Sequence, residues 1–313
     1  MILVAGATGV LGSEIVRRLL ARGDKVRAMV RSTSNPEAVT KLRRAGAETI
    51  VADLKNRGSL GPACAGVDAV ITGVTAITTA KEGDSFDATD GEGNMALVDA
   101  ARKAGVRKFV LVSFDTKLVP DCPLQNAKKS AEDHLKKSGL DYTILHPSLF
   151  FESWLGPMLF ADPVAGTAKI YGSGKQPIRY IAVADVAELA VQSVTNPAAS
   201  NATVPFGGPE EISQRDAVGI FEKAFGKKFS VTEVPEEELE AQWKAAQNPF
   251  EKSFAALMFG VARGLDTGTM PPFEKFPMKM TSAREYVQRL AETTRSQQRG
   301  TDARVTEESR ARP

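Results

Sequence analysis

The first twenty residues, MILVAGATGVLGSEIVRRLL, constrain the fold more than any other stretch of the chain. Ile2 to Ala5 form an aliphatic run with the length and composition of a central parallel strand covered on both faces. Ile15, Val16, Leu19 and Leu20 then recur at helical spacing, and Gly23 stands where a helix C-terminus favours glycine. Between strand and helix lies GATGVLG, whose glycines permit tight bending, close approach of backbone amides to an anion, and close packing of helix on strand. In this order the three parts predict a pyrophosphate cradle built from Gly6, Thr8, Gly9, Val10, Leu11 and Gly12 at the positive end of a helix. A tight strand-to-helix turn with no ligand is the plainer alternative.

The alternation continues. Residues 25–31, 47–54, 68–74, 108–114 and 141–147 read as further strands, with helical patterns over 93–105 and 127–139, each closed by glycine. Strand and helix in alternation predict an α/β fold, a doubly wound parallel sheet (Rossmann fold), with a small C-terminal substrate-side annex. The expected organisation is an NAD(P)-binding core over 1–150, a substrate-side region over 151–290 interleaved with the last sheet elements, and a disordered tail over 291–313, where 23 residues include no aromatic and one valine. The loop ITTAKEGDSFDATDGEG reads as a flap near the cofactor.

Ligands of such a sheet bind beyond the carboxyl ends of its strands. That rim gathers Asp53 and Leu54, Gly73, Val74 and Thr75, Ser113 and Phe114, and Pro147 and Ser148 as cofactor-binding candidates. At the end of the second strand, where NAD-specific units carry an acidic residue, stands Arg31, followed by Ser32. A guanidinium suits a 2′-phosphate, so NADP(H) is preferred over NAD(H). A solvated arginine at a strand end is the alternative.

Composition excludes several classes. Forty basic against 38 acidic residues leave a net charge of +2 with no basic run, which argues against nucleic acid. No apolar stretch approaches a membrane span of roughly 18 residues, and no charged leader precedes the first strand, so a cytoplasmic protein without a membrane role is expected. Cys64 and Cys122 lack metal spacing and read as free thiols; no metal is expected.

GATGVLG, VADL, GEGNMALVDAARKAGVRKFVLVSF, KKSAEDHLKKSGLDYTILHPSLF and YIAVADVAELAV, in this order, resemble the NmrA-like group of atypical short-chain dehydrogenase/reductases over about residues 1–210. The resemblance implies NAD(P)H binding. It also exposes two departures. Typical members place a tyrosine four residues before the active-site lysine; here that position is Leu124, before Lys128. In isoflavone-reductase-like relatives, which also lack the tyrosine, the matching lysine is proposed to act in acid/base chemistry, which makes Lys128 the leading catalytic candidate and a candidate ribose anchor. A solvated helix face is the bland reading of the same lysine. The second departure is His146, where relatives commonly carry arginine before the proline; histidine titrates near neutrality and can donate a proton there.

After Pro147 the segment SLFFESWLGPMLF is rich in apolar side chains, and Phe150, Phe151 and Trp154 are candidates for a substrate pocket; they serve equally well as core between two lobes. Together these expectations describe a monomeric or homodimeric reductase of a small apolar or aromatic carbonyl or enone. The alternative is a non-catalytic NADP(H)-sensing regulator or assembly factor with a protein partner. An epimerase is disfavoured because that chemistry uses the missing tyrosine.

Overall fold

The computed structural model describes residues 1–77, 83–115, 121–264, 269–270 and 274–310, with side chains as far as residue 297. In chain order the strands are β1 (Ile2–Ala5), β2 (Val26–Val30), β3 (Glu48–Val51), β4 (Ala69–Thr72), β5 (Lys108–Val112), β6 (Asp141–Pro147), β7 (Ala161–Asp162), β8 (Thr167–Tyr171), β9 (Ala202–Phe206) and β10 (Ser230–Val234). The helices are α1 (Val10–Ala21), α2 (Pro36–Arg44), α3 (Arg57–Cys64), α4 (Glu92–Lys103), α5 (Pro123–Lys136), α6 (Phe151–Trp154), α7 (Val183–Gln192), α8 (Gln214–Phe225), α9 (Glu236–Ala245), α10 (Pro249–Ala262) and α11 (Ala283–Arg310).

Seven strands form one all-parallel sheet in the order β3-β2-β1-β4-β5-β6-β9. Side-chain alternation sorts its two faces. Ile2, Val4, Ala28, Val30, Ile71, Val110 and Leu145 pack with Ile15, Val16 and Leu19 of α1 and Val186 and Leu189 of α7. Leu3, Ala5, Met29, Val70, Phe109, Leu111 and Ile144 pack with Leu60 of α3, Leu97 of α4 and Leu135 of α5. Both faces are apolar because crossover helices cover both, which is the reason the strands read as continuous aliphatic runs. The strand order reverses at β1, between β2 and β4, and the crevice above it is where such sheets bind ligands.

The sheet does not end at β6. The chain leaves it for α6, β7 and β8 and returns through α7 to add β9, whose Pro205 lies opposite His146. Proline is tolerated there because β9 is the edge strand. The excursion has a sheet of its own, β8 between parallel β10 and antiparallel β7. Phe160, Ile170, Phe221 and Phe229 fill its core.

The tail expectation needs correction. α11 runs through Ala291, which is buried, and Arg295 donates to the carbonyl of Ala224, so 291–297 is helical and anchored at these two points, with most of its side chains exposed. Few apolar residues suffice there because a single stripe, Ala283, Val287 and Ala291, does the docking. Both cysteines are free and buried, and burial pushes the Cys64 thiol up to about 11. Among the described residues no helix is long and apolar enough to cross a membrane, and none group as a metal site.

Candidate cofactor and active site

The cradle is built from backbone. Gly6 leaves β1 at φ +74°, a conformation that disfavours other residues, and turns the chain so that Gly9 N–H donates to Gly6 O at 2.9 Å. On Gly12 a Cβ would lie 2.1 Å from that same oxygen, so only glycine lets α1 start this close to the strand. The N-terminus of α1 carries no side-chain cap and no acidic residue in its first turn. Asn35 caps α2 and Ser213 caps α8. The first amides of α1 are therefore available to an external anion, and the positive end of the helix is not neutralised from within. These residues fit a dinucleotide pyrophosphate. Val74 and Leu11, from the neighbouring rim and the helix, close the cradle against Gly6 and Gly73.

The expected 2′-phosphate reader is already engaged. Arg31 Nη1 lies 3.1 Å from Asp84 Oδ2, and Lys55 Nζ lies 2.5 Å from Asp84 Oδ1. Asp53 accepts the Lys55 N–H at 2.9 Å, closing a local turn after β3, and Leu54 is a core residue that offers only its backbone to a ligand. Ser32 is exposed beside Arg31.

The next cluster of rim candidates is organised by α5. Lys128 and Glu132, four residues apart, share the helix face turned into the molecule. Lys128 Nζ lies 3.1 Å from Asp90 Oδ1, with side-chain exposures of 9% and 0%. The bland reading of Lys128 as a solvated surface lysine is thereby excluded. Asp90 sits in a turn of π-helix, Asp87–Gly91, and its other oxygen accepts Ala76 N–H at 2.9 Å, tying the segment after β4 to α5. Asn94 extends the network, accepting from Thr72 Oγ1 at 3.0 Å and donating to the carbonyl of Asp90 at 3.2 Å. This end of the expected flap is thus buried; residues 78–82 of it lie outside the described residues.

His146 Nε2 lies 2.9 Å from Glu132 Oε1. Burial works to raise the Glu132 carboxyl, but the bond from His146 and the charge of Lys136 outweigh it and hold the group below the ordinary glutamate range. Ser113, buried nearby, adds to this without a well-aligned hydrogen bond. A carboxyl depressed on folding contributes stability above its ordinary value and loses it as acid carries the pH through the folded value. Glu132→Gln is therefore expected to lower stability by about 1–3 kcal/mol at neutral pH. The gap to wild type should close as the pH falls below about 4.5, the ordinary value of the group. Denaturant melts across pH test this; a constant gap would show that Glu132 acts by shape alone.

Of the proposed substrate wall, Phe151 is corrected: it is 1% exposed and stacked on Tyr286 with centroids 4.9 Å apart, so it joins annex to C-terminal helix. Phe150 packs against the sheet core, and Trp154 lies between two annex clusters. Phe114 leaves the rim to pack with Phe86, Trp243 and Phe250. Ser148, at the end of β6, has a buried hydroxyl without a partner among the described residues, an acceptor or donor left for a ligand. Asp90, Glu132, Lys55 and Asp84 were invisible as site residues from sequence, although the Lys128/Glu132 spacing marks one helix face.

Comparison with known proteins shows the family and the fold. Photosystem II assembly factor Ycf39 of Synechocystis is 28% identical over 300 residues, covering 92% of this chain and 89% of that protein. NAD(P)H azoreductase of Xenophilus azovorans is 30% identical, covering 72% and 74%. The NADPH complex of the quinone oxidoreductase QOR2 from Escherichia coli superposes with a TM-score of 0.75 over 93% of this chain and 99% of the other, at 21% identity, which bears on the fold. The model of the NmrA-like family matches residues 1–287, and the chain belongs to that family.

Proposed function

We propose that this protein is an NADPH-dependent reductase of a small apolar or aromatic acceptor carrying a carbonyl, enone or azo group. The observation that carries the reading is the Lys128–Asp90 pair, a buried cation held beside the segment that follows β4. Bound NADPH supplies hydride. The α1 amides would hold the cofactor's pyrophosphate and orient it. Asp90 fixes Lys128 Nζ, and the Lys128 ammonium gives its proton to the acceptor oxygen or nitrogen that gains electron density. The low exposure of Lys128 keeps bulk water away from that transfer.

A second reading has its own support. The Lys128–Asp90 pair also suffices as a structural tie, and a relative bears the name of an assembly factor, so a cofactor-binding protein that acts through a protein partner is the competing function. The experiment follows NADPH absorbance at 340 nm with quinones, azo dyes and aryl enones. Saturable consumption with any acceptor supports the reductase. One NADPH bound per chain with none consumed overturns it in favour of the second reading.

A further inference from the structure

Asp84 holds two cations at once. Its side chain is 3% exposed, while Arg31 and Lys55 are each about a third exposed, at 30% and 31%. The cations come from the ends of adjacent strands, Arg31 directly after β2 and Lys55 four residues after the end of β3. The carboxylate comes from elsewhere. The chain leaves β4 on one side of β1 and by Asp84 has reached the ends of β2 and β3 on the other. The backbone of Arg31 is fixed too, its N–H donating to Ser34 Oγ at 2.9 Å. Two fixed cations with solvent access, converging on one buried anion, form a binding site for an anion of phosphate size whose present occupant is part of the chain.

Resting on the reading of this rim as the adenosine end of a dinucleotide site, we infer that Asp84 is an internal substitute for the 2′-phosphate and that Lys55 is the second residue that reads it. A 2′-phosphate takes Arg31 and Lys55 by displacing the Asp84 carboxylate; a ribose 2′-hydroxyl carries no charge with which to do so. Asp84 therefore taxes NADP(H) binding and leaves NAD(H) binding nearly unaffected. Because the same segment continues into the π-helix that carries Asp90, displacement at one end of the site bears on the pairing of Lys128 at the other.

The test compares dissociation constants of NADPH, NADH, 2′,5′-ADP and 5′-AMP for wild type, Asp84→Asn and Lys55→Met. Asp84→Asn is expected to tighten NADPH and 2′,5′-ADP by about tenfold, the size of one charge-assisted contact, with NADH and 5′-AMP within about twofold. Lys55→Met, at a partly exposed site that tolerates the change, is expected to weaken the two phosphorylated ligands about tenfold and spare the others. Equal effects of Asp84→Asn on all four ligands would make Asp84 a structural anchor and overturn the inference. Weakened NADH with unchanged NADPH would make Asp84 a reader of the 2′-hydroxyl, and overturns it as well. If no variant binds any of the four, the dinucleotide reading of the rim fails; if all bind with unchanged ratios, only the inference fails.

Discussion

Gly9→Val is expected to abolish NADPH binding, with a loss of about 10²-fold or more, while the protein stays folded. Gly9 is the exposed N-cap of α1 at φ −79° and ψ 168°, extended backbone that valine adopts without strain. A Cβ there stands 3.3 Å from Gly6 O, close but not prohibitive. The two extra methyl groups stand at the mouth of the cradle, over the amides that a pyrophosphate must reach. Each charge-assisted hydrogen bond lost is worth roughly 1.5–3 kcal/mol, and two lost together exceed 10²-fold. Gly12→Ala is the contrast, because a Cβ 2.1 Å from Gly6 O forces α1 off the strand and destabilises the fold itself. Calorimetric titration with NADPH and a thermal melt separate the two. Wild-type affinity in Gly9→Val would refute the cradle.

The second large effect is expected at Lys128. Lys128→Met removes the ammonium and keeps most of the side chain, so turnover should fall about 10²-fold or more, as for a lost general acid, with NADPH affinity nearly retained. The structure adds a complication. Asp90, fully buried, would be left without its cation, and an uncompensated buried carboxylate costs about 3–5 kcal/mol. The variant is therefore paired with Lys128→Met/Asp90→Asn, in which the amide oxygen still accepts Ala76 N–H. If the double variant regains stability but not turnover, Lys128 is the proton donor. If affinity falls together with turnover, Lys128 anchors the ribose. His146→Ala is measured alongside: with Glu132 holding one imidazole nitrogen, a large loss of turnover there and none in Lys128→Met would move the acid to His146.

The parts of the fold governed by local pattern were legible. Ile2–Ala5 and Asp141–Pro147 are strands over the residues their composition marks, and 93–105 and 127–139 carry helices, α5 starting earlier because Pro123 is well placed in a first turn. β9 was not read, since ATVPF is short and contains a proline that only an edge position tolerates. Phe151 stayed open between pocket and core because an aromatic after a rim strand looks the same in sequence whether it lines a pocket or, as here, stacks on Tyr286, more than a hundred residues away. The site divides the same way. The glycine cradle is a local device and is visible in seven consecutive residues. Asp90 and Asp84 are functional candidates only through contacts with α5, β2 and β3, which an acidic, glycine-rich loop does not announce. Lys128 stood among four lysines of one segment, and burial distinguished it.

The most direct test of the central claim, that this chain turns NADPH over and does not merely hold it, follows NADPH carrying deuterium at both C4 positions, so that transfer from either face moves label. The labelled cofactor is incubated with protein and the acceptor panel, and products are analysed by mass. The account predicts oxidised cofactor that has lost one deuterium, and deuterium in the product of those acceptors that take hydride at carbon, such as aryl enones, at a rate that falls about 10²-fold in the double variant Lys128→Met/Asp90→Asn. Label retained entirely on a cofactor that is bound one per chain would contradict it.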